Sequence, residues 1–177
     1  MSSLVKLSEA SVSNVGSVTL TGITSAFNVA VVYYSNVVPA NDAADLQYQF
    51  TEGGTANGNS NYQAVISYPR SDRSFITNSG DNLGLAGRDK LGLTGSISNV
   101  STTGGMGQIY ITSAADSSEN TYANVETAYV SDGSTKILLG QVSGGVLKET
   151  TAVDGIKLFF DSGNITSGDF VMYAIKE

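Results

Sequence analysis

Apolar and polar side chains alternate with a period of two through most of this chain, and that pattern fits β-strands and little else. Leu46, Tyr48 and Phe50 alternate with Gln47 and Gln49, and Tyr62, Ala64, Ile66 and Tyr68 with Gln63, Val65 and Ser67. Ile109 and Ile111 sit among Gln108, Tyr110 and Thr112. Val125, Thr127 and Tyr129 share one face, and Ile156, Leu158 and Phe160 flank Lys157 and Phe159. Successive strand side chains point to opposite faces, so each pattern sends one set inward and the other toward solvent. Residues 29–34 (VAVVYY) and 170–175 (FVMYAI) are apolar on both faces and read as central strands. Segments 18–21, 95–102 and 137–142 bring the set to about ten.

The composition agrees. Twenty Gly, 24 Ser, 16 Thr and 13 Asn make up 73 of 177 residues, while good helix formers are scarce. Turn sequences such as Glu52-Gly53-Gly54, Asn57-Gly58-Asn59, Asp132-Gly133-Ser134 and Asp161-Ser162-Gly163-Asn164 separate the strands with residues that tolerate positive φ. Pro39 and Pro69 each close a strand pattern, where a missing N–H does least harm. The length suits one domain. The expected fold is therefore all-β, a single antiparallel β-sandwich spanning residues 17–177, with residues 1–16 a first strand or an attachment arm. Segment 77–95 breaks the pattern. It carries a degenerate repeat, Leu83-Gly84-Leu85 and Leu91-Gly92-Leu93, and reads as a long ordered loop.

Several chemistries are excluded by residue type. Without His or Cys, neither a Ser-His-Asp nor a Cys-His arrangement can form, and the usual zinc sites and disulfides are absent too. There is no phosphate-binding or dinucleotide-binding glycine motif. The net charge of −7 would repel a nucleic-acid backbone or an anionic membrane surface, so neither is expected as a partner. No apolar run approaches the roughly 20 residues of a spanning helix. Met1 to Lys6 does not read as a secretory signal, which points to synthesis in a cytoplasm. Two-carboxylate glycoside hydrolysis stays formally open through Asp45, Glu52, Glu119, Glu126, Asp154 and Asp161. Most of these sit in turn sequence, where carboxylates cap or solvate, and no catalytic residue is assigned. Asp116 to Asn120 (DSSEN) is the best calcium candidate but lacks regular ligand spacing, so neither a metal nor a cofactor is expected.

Two sets of residues are candidates for binding. Tyr34, Tyr110 and Tyr173 could offer rings for ligand stacking, since the chain has no Trp. A partner interface could use the apolar Leu4 and Leu7 of the N-terminal segment. It could also use Leu83, Leu85, Leu91 and Leu93 of the 77–95 segment, and the neighbouring Arg70, Arg73, Arg88 and Lys90. Asp72 and Asp89 lie among the basic residues and offer local ion pairs as the plainer account.

Three segments carry a resemblance to a known family. Residues 19–54, TLTGITSAFNVAVVYYSNVVPANDAADLQYQFTEGG, resemble the opening of structural domains of marine tailed bacteriophages, with Phe27 where that pattern has Tyr. The N-terminal LVKLSEASVSNVGSVTLTGI and the C-terminal VDGIKLFFDSGNITSGDFVMYAIKE are similar to the two ends of the same family. The resemblance implies a jelly-roll-like sandwich whose last strand returns beside the first. It further implies a non-enzymatic virion protein, with phage capsid or tail proteins as partners and a homo-oligomeric state. The expected role is a capsid decoration or knob protein on the particle surface. The alternative is a tail-fibre or receptor-binding module that recognises a host surface glycan.

Overall fold

A computed structural model describes residues 3–27, 29–72 and 82–176, apart from the side chains of residues 82, 83 and 176. Thirteen strands occur among these residues and no helix. They are β1 (Ser3–Val15), β2 (Val18–Thr21), β3 (Val29–Pro39), β4 (Leu46–Glu52), β5 (Thr55–Ala56), β6 (Tyr62–Ser67) and β7 (Asn82–Arg88). There follow β8 (Leu91–Gly92), β9 (Gly105–Thr112), β10 (Thr121–Val130), β11 (Leu138–Leu147), β12 (Gly155–Phe160) and β13 (Ile165–Lys176).

They form two antiparallel sheets. The larger has eight strands in the order β1-β13-β3-β9-β10-β11-β6-β7. The smaller has the order β2-β12-β4-β5, with β8 also paired to β4. The last strand does return beside the first: β13 pairs along β1 from Ser3↔Lys176 to Val15↔Ile165. On its other side β13 pairs with β3, so the two doubly apolar segments, 29–34 and 170–175, are neighbours with Phe170 opposite Tyr34. Residues 3–15 are thus an edge strand of the large sheet rather than a free arm.

The alternation read from the sequence builds the core. Leu46, Tyr48 and Phe50 of β4, Ile156, Leu158 and Phe160 of β12, and Leu20 of β2 point from the small sheet into the interior. Tyr62 and Ile66 of β6, Ile109 and Ile111 of β9, and Ala123, Val125 and Tyr129 of β10 meet them from the large one. Burying each large apolar side chain contributes roughly 1.5–3 kcal/mol, which is why no disulfide is needed at this size. Gly155 shows how closely β2 and β12 approach. A Cβ there would stand 2.1 Å from the backbone oxygen of Leu20, so only glycine fits.

The structure corrects two readings. Part of the expected loop is strand, because residues 82–88 form β7 on the edge of the large sheet beside β6. Conversely, segment 95–102 is not a strand; only Ile97 makes isolated bridges, to Ala44 and Ser131. Its alternation served a covering loop that buries Ile97 and Ser98 between the sheets.

Candidate functional site

The outer face of the eight-stranded sheet carries the chain's exposed apolar surface. Parity fixes which residues face out. Ala30, Val32 and Tyr34 of β3 point into the core, so Val31 and Tyr33 point away from it. The same holds for Met106, Gln108 and Tyr110 of β9, Tyr122, Asn124 and Glu126 of β10, Val142 and Gly144 of β11, and Val65 of β6. One cross-strand row runs the full width of the sheet: Lys6, Tyr173, Val31, Tyr110, Asn124, Gly144, Val65 and Gly84.

Nine large hydrophobic side chains are exposed among the described residues. Eight of them, Leu4, Tyr33, Val65, Met106, Tyr110, Tyr122, Leu138 and Val142, lie on this face; Val100 does not. Val65 is 67% exposed and Met106 58%, values far from those of ordinary strand packing. The charges on the face are few. Lys6 pairs with Glu9 at 2.8 Å on the β1 edge, and Glu126 accepts the Gln108 amide at 2.9 Å nearer the middle.

Three tyrosines cluster on one half of the face. Tyr33 and Tyr173 meet edge to face with ring centroids 6.4 Å apart. Val31, directly between Tyr173 and Tyr110 in the row, is only 1% exposed although it faces outward, because these rings cover it. Desolvation by neighbouring rings, with contributions from Tyr110 and Tyr173, holds the Tyr33 phenol above its ordinary range.

The candidate residues named from the sequence fall as follows. Tyr110 and Tyr173 are on the outer face, but Tyr34 is not a stacking platform. It is buried, stacked on Phe170 at 6.4 Å, because it sits on the inward parity of β3. Its neighbour Tyr33 is the exposed one, and nothing in a run apolar on both faces marks which of the two faces water. Leu91 and Leu93 are core residues, 2% and 0% exposed, and cannot dock a partner; Leu91 lies on β8, paired to β4 in the small sheet, and Leu93 just beyond it donates its backbone N–H to the Leu46 carbonyl at 2.8 Å. Leu7 and Leu85 are partly buried against the same core. Leu83 pairs with Ile66 through its backbone, and its side chain lies outside the described residues. Leu4 is exposed, at the β1 edge, whereas β7 is the opposite edge of the sheet. The two leucine groups therefore cannot form one patch.

The basic cluster is also divided. Arg70 follows the far end of β6, and its guanidinium Nε and Nη2 donate to Asp72 at 2.9 Å each. Arg88 is opposite Tyr62 at the other end of β6, of order 20 Å away along the strand. Lys90 pairs with Asp89 at 3.2 Å. Arg73 lies outside the described residues.

The carboxylates considered for catalysis are engaged structurally. Asp154 accepts from Thr51 Oγ1 at 2.7 Å and from the Gly54 N–H at 2.8 Å, bracing the β4–β5 turn. Asp161 accepts the Asp45 N–H at 2.9 Å. Glu119 accepts from Ser113 at 2.9 Å. Asp116 accepts both the N–H and the hydroxyl of Ser118, at 2.7 and 2.6 Å, in a local turn. Asp45 is half-buried, and burial, with Asp161 and Asp132 nearby, pushes its carboxyl up to about 6. Its charge acts on Tyr68 and Tyr129, which with Arg70 and Asp132 help line a hollow of about 720 Å³.

One constellation was missed. A single amide nitrogen, Nδ2 of Asn57, donates to both Glu52 at 2.7 Å and Glu149 at 2.6 Å. Asn59 adds a bond to Glu149 at 2.9 Å, and Asn61 adds another. Burial opposes ionisation of Glu149, but the amides of Asn61, Asn57 and Asn59 outweigh it and hold the carboxyl below its ordinary value. The signal was present as asparagine at every second position of NGNSN.

Comparison with known proteins gives no match, whether to family models, to curated proteins or to solved structures.

Proposed function

We propose that this chain is a non-catalytic structural protein of a phage particle, a capsid decoration protein held to neighbouring protein subunits by the outer face of its eight-stranded sheet. The observation that supports it is the segregation of exposed apolar side chains: eight of nine lie on that one face. Monomeric soluble proteins rarely expose contiguous apolar patches beyond a few hundred Å², and interface centres are enriched in Tyr and Met and depleted of charge. Tyr33, Tyr110, Tyr122, Tyr173 and Met106 supply the first feature. The scarcity of charge on the middle strands supplies the second. The assignment to a phage rests on the sequence resemblance alone.

A second reading has its own observation. The Tyr33–Tyr110–Tyr173 cluster, with Gln108 beside Tyr110 on β9 and Asn124 and Glu126 on the neighbouring β10, combines ring faces with amide and carboxylate groups, as a sugar-binding surface does. That reading makes the chain a receptor-binding module of a tail.

The two are separated by substitution. Val65→Asp with Val142→Asp alters exposed positions remote from the tyrosines and should leave the circular dichroism unchanged. The decoration reading expects this variant to stop co-sedimenting with particles, and Tyr33→Ala with Tyr110→Ala, on the same face, to weaken co-sedimentation as well. The tail reading expects the aspartate variant to bind as the parent does and the tyrosine variant to lose binding to host envelope polysaccharide. If both variants bind as the parent does, the outer face is not the docking surface.

A further inference from the structure

Three buried polar atoms without a protein partner among the described residues, Tyr34 Oη, Thr127 Oγ1 and Gln141 Oε1, fall in one line on the inner face of the large sheet. Register places them there. Tyr34 is opposite Gly107, Gly107 opposite Thr127, and Thr127 opposite Gln141. Gly107 is the reason the line is continuous. A Cβ at that position would stand 2.5 Å from the Tyr34 hydroxyl oxygen, so the phenol lies across β9 where a side chain would otherwise be, and reaches toward β10. Gln141 is fully buried, and its Nε2 donates to the backbone oxygen of Gly92 at 2.7 Å and to Ser143 Oγ at 3.3 Å. Turning the amide over would set two acceptors against each other at Gly92, so Oε1 must look elsewhere for a donor.

The groups are complementary to water rather than to one another. Tyr34 is a donor that burial keeps protonated, Thr127 can donate or accept, and Gln141 Oε1 only accepts. From β9 to β11 is two strand spacings, about 9.5 Å. The phenol covers the first of these, which leaves about one strand spacing, the span that one or two water molecules would bridge at ordinary hydrogen-bond lengths. Apolar cavities stay dry, but a buried site with two to four polar partners holds water.

We propose that the sandwich binds internal water at this row, one or two molecules bridging Tyr34 Oη, Thr127 Oγ1 and Gln141 Oε1. The inference is independent of the proposed function. Oxygen-17 magnetic relaxation dispersion on the purified protein counts long-lived internal waters. The parent should show such a component, Thr127→Val and Tyr34→Phe should each reduce it, and Thr127→Ser should keep it. Urea unfolding supplies a second readout with opposite signs. If water bridges the row, Tyr34→Phe lowers the unfolding midpoint by removing an anchor. If the hydroxyl is simply bare, the same change raises it. A dispersion amplitude unchanged by Thr127→Val and Tyr34→Phe, or a raised midpoint for Tyr34→Phe, overturns the proposal.

Discussion

The phenolic oxygen of Tyr62 accepts the backbone N–H of Phe50 at 2.9 Å while the two rings stack with centroids 6.1 Å apart, so one residue joins the large sheet to the small one by both packing and polarity. The same hydroxyl donates to the Asn57 carbonyl at 3.1 Å. Tyr62→Phe keeps the ring but strands a buried N–H and a buried carbonyl. The expected loss is about 1–3 kcal/mol, read by chemical denaturation against the parent. A loss below a few tenths would show that the hydroxyl does not bind the sheets.

Asn57 separates two carboxylates, and replacing it with a third should be costly. Asn57→Asp puts a charge beside Glu52 and Glu149 at a position only 7% exposed. Stability at pH 7 should fall by roughly 2 kcal/mol or more, since a buried polar group loses its partners and gains repulsion. The parent's Glu149 is depressed, so its contribution is present above the ordinary carboxylate value and lost as pH falls through the lower folded value. The variant should behave oppositely and recover stability on mild acidification, measured by melting between pH 4 and pH 7.

Asp45 gives a pH dependence of its own. Its folded value of about 6 is above the ordinary 3.8, mainly through burial and then through Asp161 and Asp132. The stability linked to a raised carboxyl is complete below 3.8 and lost as pH rises through 6. Asp45→Asn should remove that slope. Urea midpoints for parent and variant at pH 5 and pH 8 are the check: the variant should gain relative to the parent at the higher pH.

Leu93 and Val65 separate core from surface. Leu93, 0% exposed, should cost about 2–5 kcal/mol as Leu93→Ala, whereas Val65→Ala at 67% exposure should stay within about 0.5 kcal/mol. Thermal denaturation of both decides whether the second leucine pair of the Leu-Gly-Leu repeat is structural.

Much of the fold was legible because a two-residue period reports directly on which side chains meet. Leu46, Tyr48 and Phe50 could be placed on one buried face from sequence alone, and so could Ile156, Leu158 and Phe160. Where both parities are apolar the period falls silent, so the sequence offers Tyr34 as a stacking candidate and carries no sign that Tyr33 is the exposed one. Leucines at Leu91 and Leu93 looked like a loop seeking cover because glycines interrupt them. Their cover is β4, more than 40 positions earlier in the chain, and no local pattern reports a contact that distant. The outer face escaped notice for a related reason. Val65 and Tyr122 are each the single exposed large hydrophobic of their strand, Val142 shares β11 only with Leu138 at its far end, and they become one surface only when β6, β11 and β10 are set side by side.

The most direct measurement of the proposed docking is a cryo-electron-microscopy map of intact particles that carry this chain. The decoration account predicts symmetry-related copies over the shell, each with Val65, Tyr122 and Val142 pressed against a neighbouring subunit and excluded from solvent. Copies whose eight-stranded outer face opens to solvent while another surface makes the contact would contradict it, as would copies found only at the tail.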